Sequence, residues 1–185
     1  MIEWLEHIDQ MLFLKINGAH NSFFDILFFW ISNKYIWIPL YVFFVILLLK
    51  KHKKKAVFYI VAAIVLIAIS DLTSVHLFKN VFQRYRPSHN IDIQNLVHLV
   101  DGYTGGQFGF VSSHATNTMA LAVFMIVSLS FEKKIFIALL LFWAMLVSYS
   151  RVYLGVHYPA DVFAGMMLGA LLAFMIHFLM KKTKK

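Results

Sequence analysis

The hydrophobic pattern of the chain consists of long apolar runs separated by short polar segments. A membrane-spanning helix needs about 20 mainly apolar residues, and five runs reach or approach this length: 36–50, 56–78, 112–131, 135–149 and 161–180. A sixth run, 21–33, is shorter and contains Asp25, so we expect a tilted or partly re-entrant helix there. The pattern predicts an all-α, polytopic membrane bundle of about six transmembrane helices.

An interfacial helix is predicted before the first of these runs. Its apolar side chains recur on one helical face, as in helices that lie in a membrane surface: Trp4, Leu5, Ile8, Met11 and Leu12. The N-terminus is acidic and lacks a basic stretch, so we expect no cleavable signal peptide. Residues 1–185 are interpreted as a single integral-membrane domain.

The composition supports a membrane protein. Hydrophobic residues make up 61% of the chain and charged residues only 14%, which excludes an ordinary soluble domain. The chain has no cysteine, so it offers neither a disulfide framework nor a thiolate metal site.

The net charge of +8 is concentrated at the ends of the apolar runs. Lysines cluster at 50–55, at Lys133 and Lys134, and at 181–185, on alternate connections. The positive-inside rule assigns these connections to the cytoplasm, so loops 79–110 and 150–160 are expected on the outer side. The clusters thus indicate topology first and contacts with anionic lipids second, and they do not indicate a nucleic-acid partner.

The polar residues suited to catalysis or anion binding fall in three clusters, which lie in these outer loops. In the first, Lys79 and Arg86 are two helical turns apart and share a face if the helix continues to Arg86, where Pro87 ends it. Such a pair suits an oxyanion such as phosphate, although snorkelling cations at an interface give the same pattern. Arg84 is expected to be an anchor or a lipid-headgroup contact.

The second cluster lies where a loop enters an apolar helix. Ser112 or Ser113 fits the N-cap, and His114 then falls in the first turn. The free N–H groups and the dipole of a helix N-terminus also suit an anion, so both a capping and a binding interpretation remain open.

The third cluster contains Ser150, Arg151, His157 and Asp161. Pro159 fits the first turn of a helix, which places Asp161 in that turn and His157 just before it. Asp161 either caps the helix or accepts a proton from His157 and orients the imidazole as a base or nucleophile. Neighbouring cations argue against a metal ion at this spacing, so no metal and no cofactor are predicted.

The three clusters together resemble the conserved motifs of the type 2 phosphatidic acid phosphatase (PAP2) superfamily. The matching residues are Lys79-x6-Arg86-Pro87, Ser112-Ser113-His114 and Ser150-Arg151-x5-His157-x3-Asp161. One departure is Ser113, where the family usually has glycine.

The resemblance implies a metal-independent phosphatase that forms a phosphohistidine. His157 would be the nucleophile, Asp161 would hold it, and His114 would be the acid and base. The phosphate would be bound by Lys79, Arg86, Ser112, Ser113 and Arg151.

Among function classes, a bacterial inner-membrane lipid phosphatase with its site on the outer face is favoured. The candidate substrates are undecaprenyl diphosphate and glycerolipid phosphates such as phosphatidylglycerol phosphate or phosphatidate, with lipid A as the alternative. A non-catalytic transporter or binding protein for a phosphorylated ligand would need a continuous polar path, and the helices supply only Asp71 and a few hydroxyls. A vanadate-dependent haloperoxidase would be soluble.

Two features of the helices remain. Asp71 is an ionisable group in an apolar run, and we expect it to form interhelical hydrogen bonds rather than take part in catalysis. Gly165 and Gly169 form a GxxxG pattern that favours packing inside the bundle over dimerisation. A monomer is therefore expected, with membrane lipids and the substrate as partners.

Overall fold

The computed structural model describes residues 2–182, so the last three residues of the 181–185 lysine cluster lie outside the described part. No strand occurs within the described part, which confirms the all-α prediction. The helices are α1 (Ile2–Gly18), α2 (Ser22–Ser32), α3 (Ile38–His52), α4 (Ala56–Thr73), α5 (Asn80–Phe82), α6 (Ser113–Leu129), α7 (Lys134–Tyr153) and α8 (Pro159–Lys182). A π-helical turn, Ser74–Lys79, joins α4 to α5.

Three helical stretches in the described residues have the length and apolar composition of membrane helices. They are Lys34–Phe82, which folds back between α3 and α4, then Lys134–Tyr153 and Pro159–Lys182. Helices α2 and α6 are shorter and also apolar. The exact number of membrane crossings stays a prediction.

Helix α2 does not run the length of the bundle. Its 11 residues cover about 16 Å at the α-helical rise. Just before its start, the Asn21 amide donates to the Tyr153 hydroxyl at 3.3 Å, and at its end Ser32 accepts from Arg151. Both ends of α2 are therefore held by side chains from the C-terminal end of α7, and the re-entrant path of residues 21–33 stays a prediction.

Helix α6 is the centre of the bundle and packs most closely on α8. A Cβ added at Gly169 would lie 2.2 Å from the Thr116 carbonyl oxygen, and one at Gly165 would lie 2.7 Å from that of Ser112. The GxxxG face thus brings the two backbones together inside the bundle, in agreement with the sequence. Because the two helices run parallel, their N-termini meet at one end.

The basic clusters gather at the opposite end of the bundle. A ring nitrogen of His52 lies 3.0 Å from the Ser128 carbonyl oxygen, which joins the end of α3 to the end of α6. Lys133 and Lys134 follow directly, and α8 finishes at this end because it runs parallel to α6. Loops 79–110 and 150–160 lie together at the other end, as the alternating pattern predicted.

Candidate active site

A cavity of about 670 Å³ opens among α2, α4, α6 and α7 at the end opposite the basic clusters. All three predicted clusters contribute to its wall, through Lys79, Arg86, Ser113, His114, Arg151 and His157. The remaining wall is largely apolar and includes Trp37, Tyr41, Ile67, Leu121, Trp143 and Val147. The cavity therefore has a cationic part beside a region suited to hydrocarbon.

Lys79 and Arg86 reach the cavity from different backbone segments. The prediction that the helix continues to Arg86 is wrong, because α5 ends at Phe82 and Gln83 adopts a left-handed conformation with φ 48°. Arg86 is extended, with φ −68° and ψ 158°, as a residue before proline prefers. Lys79 donates to the Ser113 hydroxyl at 2.7 Å.

Arg86 is held by main-chain oxygens. It donates through Nε to the Phe108 carbonyl at 3.1 Å and through a terminal nitrogen to the Val156 carbonyl at 3.3 Å. Burial, and then the nearby positive charge of Arg151, lower the pKa of Arg86 to about 10. The guanidinium remains a cation at neutral pH, and its hydrogen-bond partners are neutral carbonyl oxygens, so a negatively charged ligand would be favourable there.

Gly105 allows the 101–110 segment to lie against this guanidinium. Its φ is +69°, and a Cβ there would meet a terminal nitrogen of Arg86 at 2.5 Å. The same segment brings Tyr103 to the cavity. The loop is thus part of the wall.

Arg151 lies at the end of α7 and is 3% exposed. It donates to the Ser32 hydroxyl and lies 5.6 Å from the Tyr103 ring centre. Its second terminal nitrogen lies 3.5 Å from the Tyr103 hydroxyl, and its Nε is buried without a hydrogen-bond partner among the described residues. Ser32 and Tyr103 were missed from the sequence because neither lies in a recognisable motif.

The second cluster divides at the start of α6. Ser112 is fully buried, and its hydroxyl caps the helix by accepting from the Ala115 amide at 3.5 Å. Ser113 and His114 line the cavity, whereas the Ser112 side chain does not. The capping interpretation therefore describes Ser112, and its binding of phosphate stays a prediction.

His157 and Asp161 lie side by side at the start of α8. His157 Nδ1 is 3.5 Å from Asp161 Oδ2, and the same oxygen accepts from the Tyr158 amide at 3.0 Å. Asp161 thus caps α8 and also faces the imidazole. Nδ1 forms no tighter hydrogen bond among the described residues, and since His157 lines the cavity, Nε2 is the nitrogen left for a ligand.

His157 is held in its neutral form. Burial, followed by the positive charges of Arg86, Arg151 and Lys79, lowers the pKa of His157 well below its ordinary value. Gly109 lies against this pair, and a Cβ there would be 3.0 Å from Asp161 Oδ2 and 3.5 Å from His157 Nδ1. A neutral imidazole beside three cations has the lone pair that a nucleophile requires.

Arg84 does not bind the membrane surface as the sequence suggested. It donates to Asp161 Oδ1 at 2.7 Å and to Asp9 Oδ2 at 2.7 Å. No local pattern predicted this pair of bonds, because Asp9 belongs to the N-terminal helix.

Asp71 lines the cavity instead of joining helices. No hydrogen bond of its carboxylate is found among the described residues, which overturns the expectation of interhelical bonding. Asn117 lines the same wall, and its Oδ1 is buried without a partner in the described chain. The wall therefore contains Asp71 and Asn117 in addition to the residues of the three clusters.

One group of side chains outside the cavity has the composition of a metal site. Its members are His20, Asp25 and His98, whose ligand atoms lie within 4.8 Å of one another. The His20 and His98 rings are stacked at 3.6 Å with 5° between their planes, so their in-plane lone pairs do not converge. Asp25 already accepts from the Tyr153 hydroxyl at 2.7 Å, and this arrangement does not fit a metal ion.

Known proteins resemble the chain in sequence and in fold. Residues 55–185 match the family model described as the PAP2 superfamily. A lipid A 4'-phosphatase of Bacteroides thetaiotaomicron is 38% identical over 184 residues, which cover 98% of this chain and 81% of that protein. One of Porphyromonas gingivalis is 36% identical over 177 residues, covering 95% and 74%.

A solved structure extends the comparison to the fold. The transmembrane PAP2-type phosphatidylglycerolphosphate phosphatase of Bacillus subtilis superposes with a TM-score of 0.73 at 24% identity, over 96% of this chain and 87% of its own. The bundle, the three motifs and these likenesses agree: the chain belongs to the PAP2 superfamily and is a membrane lipid phosphatase.

Proposed function

We propose that the chain removes a phosphate from a lipid of the lipid A class through a phosphohistidine at His157. The observation that carries the catalytic part is the convergence of His114, His157 and three cations on one cavity. The likeness to two lipid A 4'-phosphatases over nearly the whole chain supports the substrate class.

In the first step, His157 Nε2 attacks phosphorus and the bond from phosphorus to the lipid oxygen breaks. The imidazole gains positive charge as the N–P bond forms, and the Asp161 carboxylate on the Nδ1 side stabilises that charge. His114 gives its proton to the leaving oxygen.

In the second step, His114 takes a proton from water, whose oxygen attacks phosphorus. The P–N bond breaks, its electron pair returns to Nε2, and inorganic phosphate leaves. Lys79, Arg86 and Arg151 hold the non-bridging oxygens throughout, with the amides of Ser113 and His114 at the helix N-terminus. Phosphoryl transfer depends mainly on such positioning and charge stabilisation.

The lipid portion fits the apolar wall. A second cavity of about 200 Å³ shares Tyr41 and Leu121 with the first and is otherwise lined by apolar residues of α3, α4 and α6. Acyl chains can therefore extend between these helices while the headgroup stays at the cationic part. Asp71, which is exposed on the cavity wall, would accept hydrogen bonds from sugar hydroxyl or amide groups, which a prenyl diphosphate lacks.

The orientation follows from the charge distribution. The lysine clusters lie at the end of the bundle opposite the cavity and favour the cytoplasmic side. The cavity would then open at the periplasmic face of the inner membrane.

The test is phosphate release from a panel of lipids by detergent-purified protein in the presence of a chelator. The panel contains lipid A bisphosphate, phosphatidylglycerol phosphate, phosphatidate and undecaprenyl diphosphate. We expect lipid A to be hydrolysed fastest, and His157→Ala to lose at least about 1000-fold in rate. A faster glycerolipid or isoprenoid substrate would refute the lipid A assignment, and an active His157→Ala variant would refute the mechanism.

A further inference from the structure

A chain of ionic contacts leads from the N-terminal helix to the proposed nucleophile. Asp9 Oδ2 lies 2.7 Å from one terminal nitrogen of Arg84, and the other terminal nitrogen lies 2.7 Å from Asp161 Oδ1. Asp161 Oδ2 in turn lies 3.5 Å from His157 Nδ1. Arg84 thus joins two carboxylates, and each of its terminal nitrogens donates to one of them.

Arg84 is fixed in place without contact with the cavity. Its guanidinium lies 4.2 Å from the centre of the Tyr158 ring, and the Tyr158 hydroxyl accepts from the Asn90 amide at 3.0 Å. Arg84 is absent from the cavity wall, whereas Arg86 is part of it. The two arginines of this segment therefore have different roles, and that of Arg84 is exerted through Asp161.

Asp9 holds both the arginine and the start of α8. Its Oδ1 accepts from the Ala160 amide at 2.9 Å, one residue before Asp161. Asp9 is 7% exposed, whereas Glu6 on the same helix is exposed. Residues such as Trp4 and Met11 present an exposed apolar surface on α1, so the same helix combines this surface with the buried contacts of Asp9.

The charges of Asp9, Arg84 and Asp161 alternate in sign along this series of ionic contacts. Asp161 is fully buried, and a buried carboxylate is stable only when it is paired. Burial lowers the pKa of Arg84, but the carboxylates of Asp161 and Asp9 outweigh it and raise that pKa above its ordinary value. Asp9 and Asp161 thus share the positive charge of Arg84.

We propose that Arg84 and Asp9 are positioning residues that hold the Asp161 carboxylate in register with His157, which makes α1 part of the catalytic apparatus. This inference rests on the proposed roles of His157 and Asp161. It gives the N-terminal helix a function in turnover in addition to the membrane contact predicted from its sequence.

The test compares Asp9→Asn with the matched control Glu6→Gln on the same helix, using steady-state phosphate release from the best substrate of the lipid panel. Asp9→Asn is expected to lower kcat by about 10-fold to 100-fold with KM nearly unchanged, because the reacting groups are displaced while the phosphate site is intact. Glu6→Gln is expected to match the unmodified protein.

The pH profile separates positioning from a loss of folding. Removing the Asp9 charge lowers the pKa of His157, so the acid limb of kcat/KM moves to lower pH. Arg84→Gln removes a positive charge and moves that limb to higher pH. Each variant changes one charge and leaves the other charged and titratable groups around His157 as they are. These groups are Lys79, Arg84, Arg86, His114, Arg151 and Asp161.

Conservative variants complete the test. Asp9→Glu restores the acid limb and part of kcat. Arg84→Lys is expected to leave the acid limb unchanged, because the positive charge is kept, and to lower kcat. An ammonium group lacks the planar pair of terminal nitrogens that donates to two carboxylates at once.

Two results would overturn the inference. One is that Asp9→Asn and Glu6→Gln have the same kcat and the same acid limb. The other is a fully active Arg84→Lys, which is decisive even if Asp9→Asn fails to fold. An active His157→Ala would instead defeat the proposed function, so the two failures are distinguishable.

Discussion

Replacing Gly169 by alanine tests the close contact that sets the position of α8 against α6. The added Cβ would lie 2.2 Å from the Thr116 carbonyl oxygen and 2.9 Å from the Ala120 amide nitrogen. The first distance is about 1.2 Å short of the 3.4 Å at which ordinary contacts begin. Both neighbours are main-chain atoms of a helix, so no side chain can move aside and the helices must separate.

Overpacking of this kind costs about 1–3 kcal/mol. At about 2–4 °C per kcal/mol for a chain of this size, the midpoint of thermal unfolding should fall by about 2–12 °C. His114 and Asp161 lie at the facing ends of these two helices, so a separation near 1 Å should also lower kcat by up to about 100-fold.

The assay is thermal unfolding in detergent together with phosphate release. Gly18→Ala is the control, because a Cβ at Gly18 meets nothing within 4 Å. Equal unfolding midpoints and equal rates for the two variants would refute the proposed helix contact.

The remaining predictions concern the site. The acid limb of the rate profile should lie below pH 6.5, because burial and the positive charges of Arg86, Arg151 and Lys79 lower the pKa of His157. The imidazole loses its lone pair only when the pH falls through that pKa. An acid limb at or above pH 6.5 would contradict this prediction. Arg151→Lys should lower kcat/KM by about 100-fold, since the ammonium cannot replace the fork, and a wild-type value would count against phosphate binding there. Asp71→Asn should reduce the ratio of lipid A to phosphatidate hydrolysis by about tenfold, and an unchanged ratio would exclude a headgroup role.

The sequence predicted the cationic part of the cavity because each motif combines a helix boundary with charged residues. Pro159 places Asp161 in the first turn of α8, and the start of α6 places His114. The apolar runs predicted the helical bundle, and the alternating lysine clusters predicted that the polar loops lie together at one end of it.

The sequence could not show contacts that depend on tertiary packing. Arg84 resembles any interfacial cation until Asp9 is found 2.7 Å away, 75 positions earlier in the chain. Ser32 has no motif, and its role depends on α2 lying against the end of α7. The turn at Gln83 was missed because a left-handed glutamine is uncommon and no local pattern predicts it.

Trapping of the covalent intermediate shows directly whether His157 is the nucleophile. Protein mixed with lipid substrate carrying a radioactive phosphate is quenched in denaturant within one turnover, and the labelled residue is identified. We predict one acid-labile, base-stable phosphoryl group on His157, which is absent from His157→Ala. Turnover without labelled protein, or label on another residue, would contradict it.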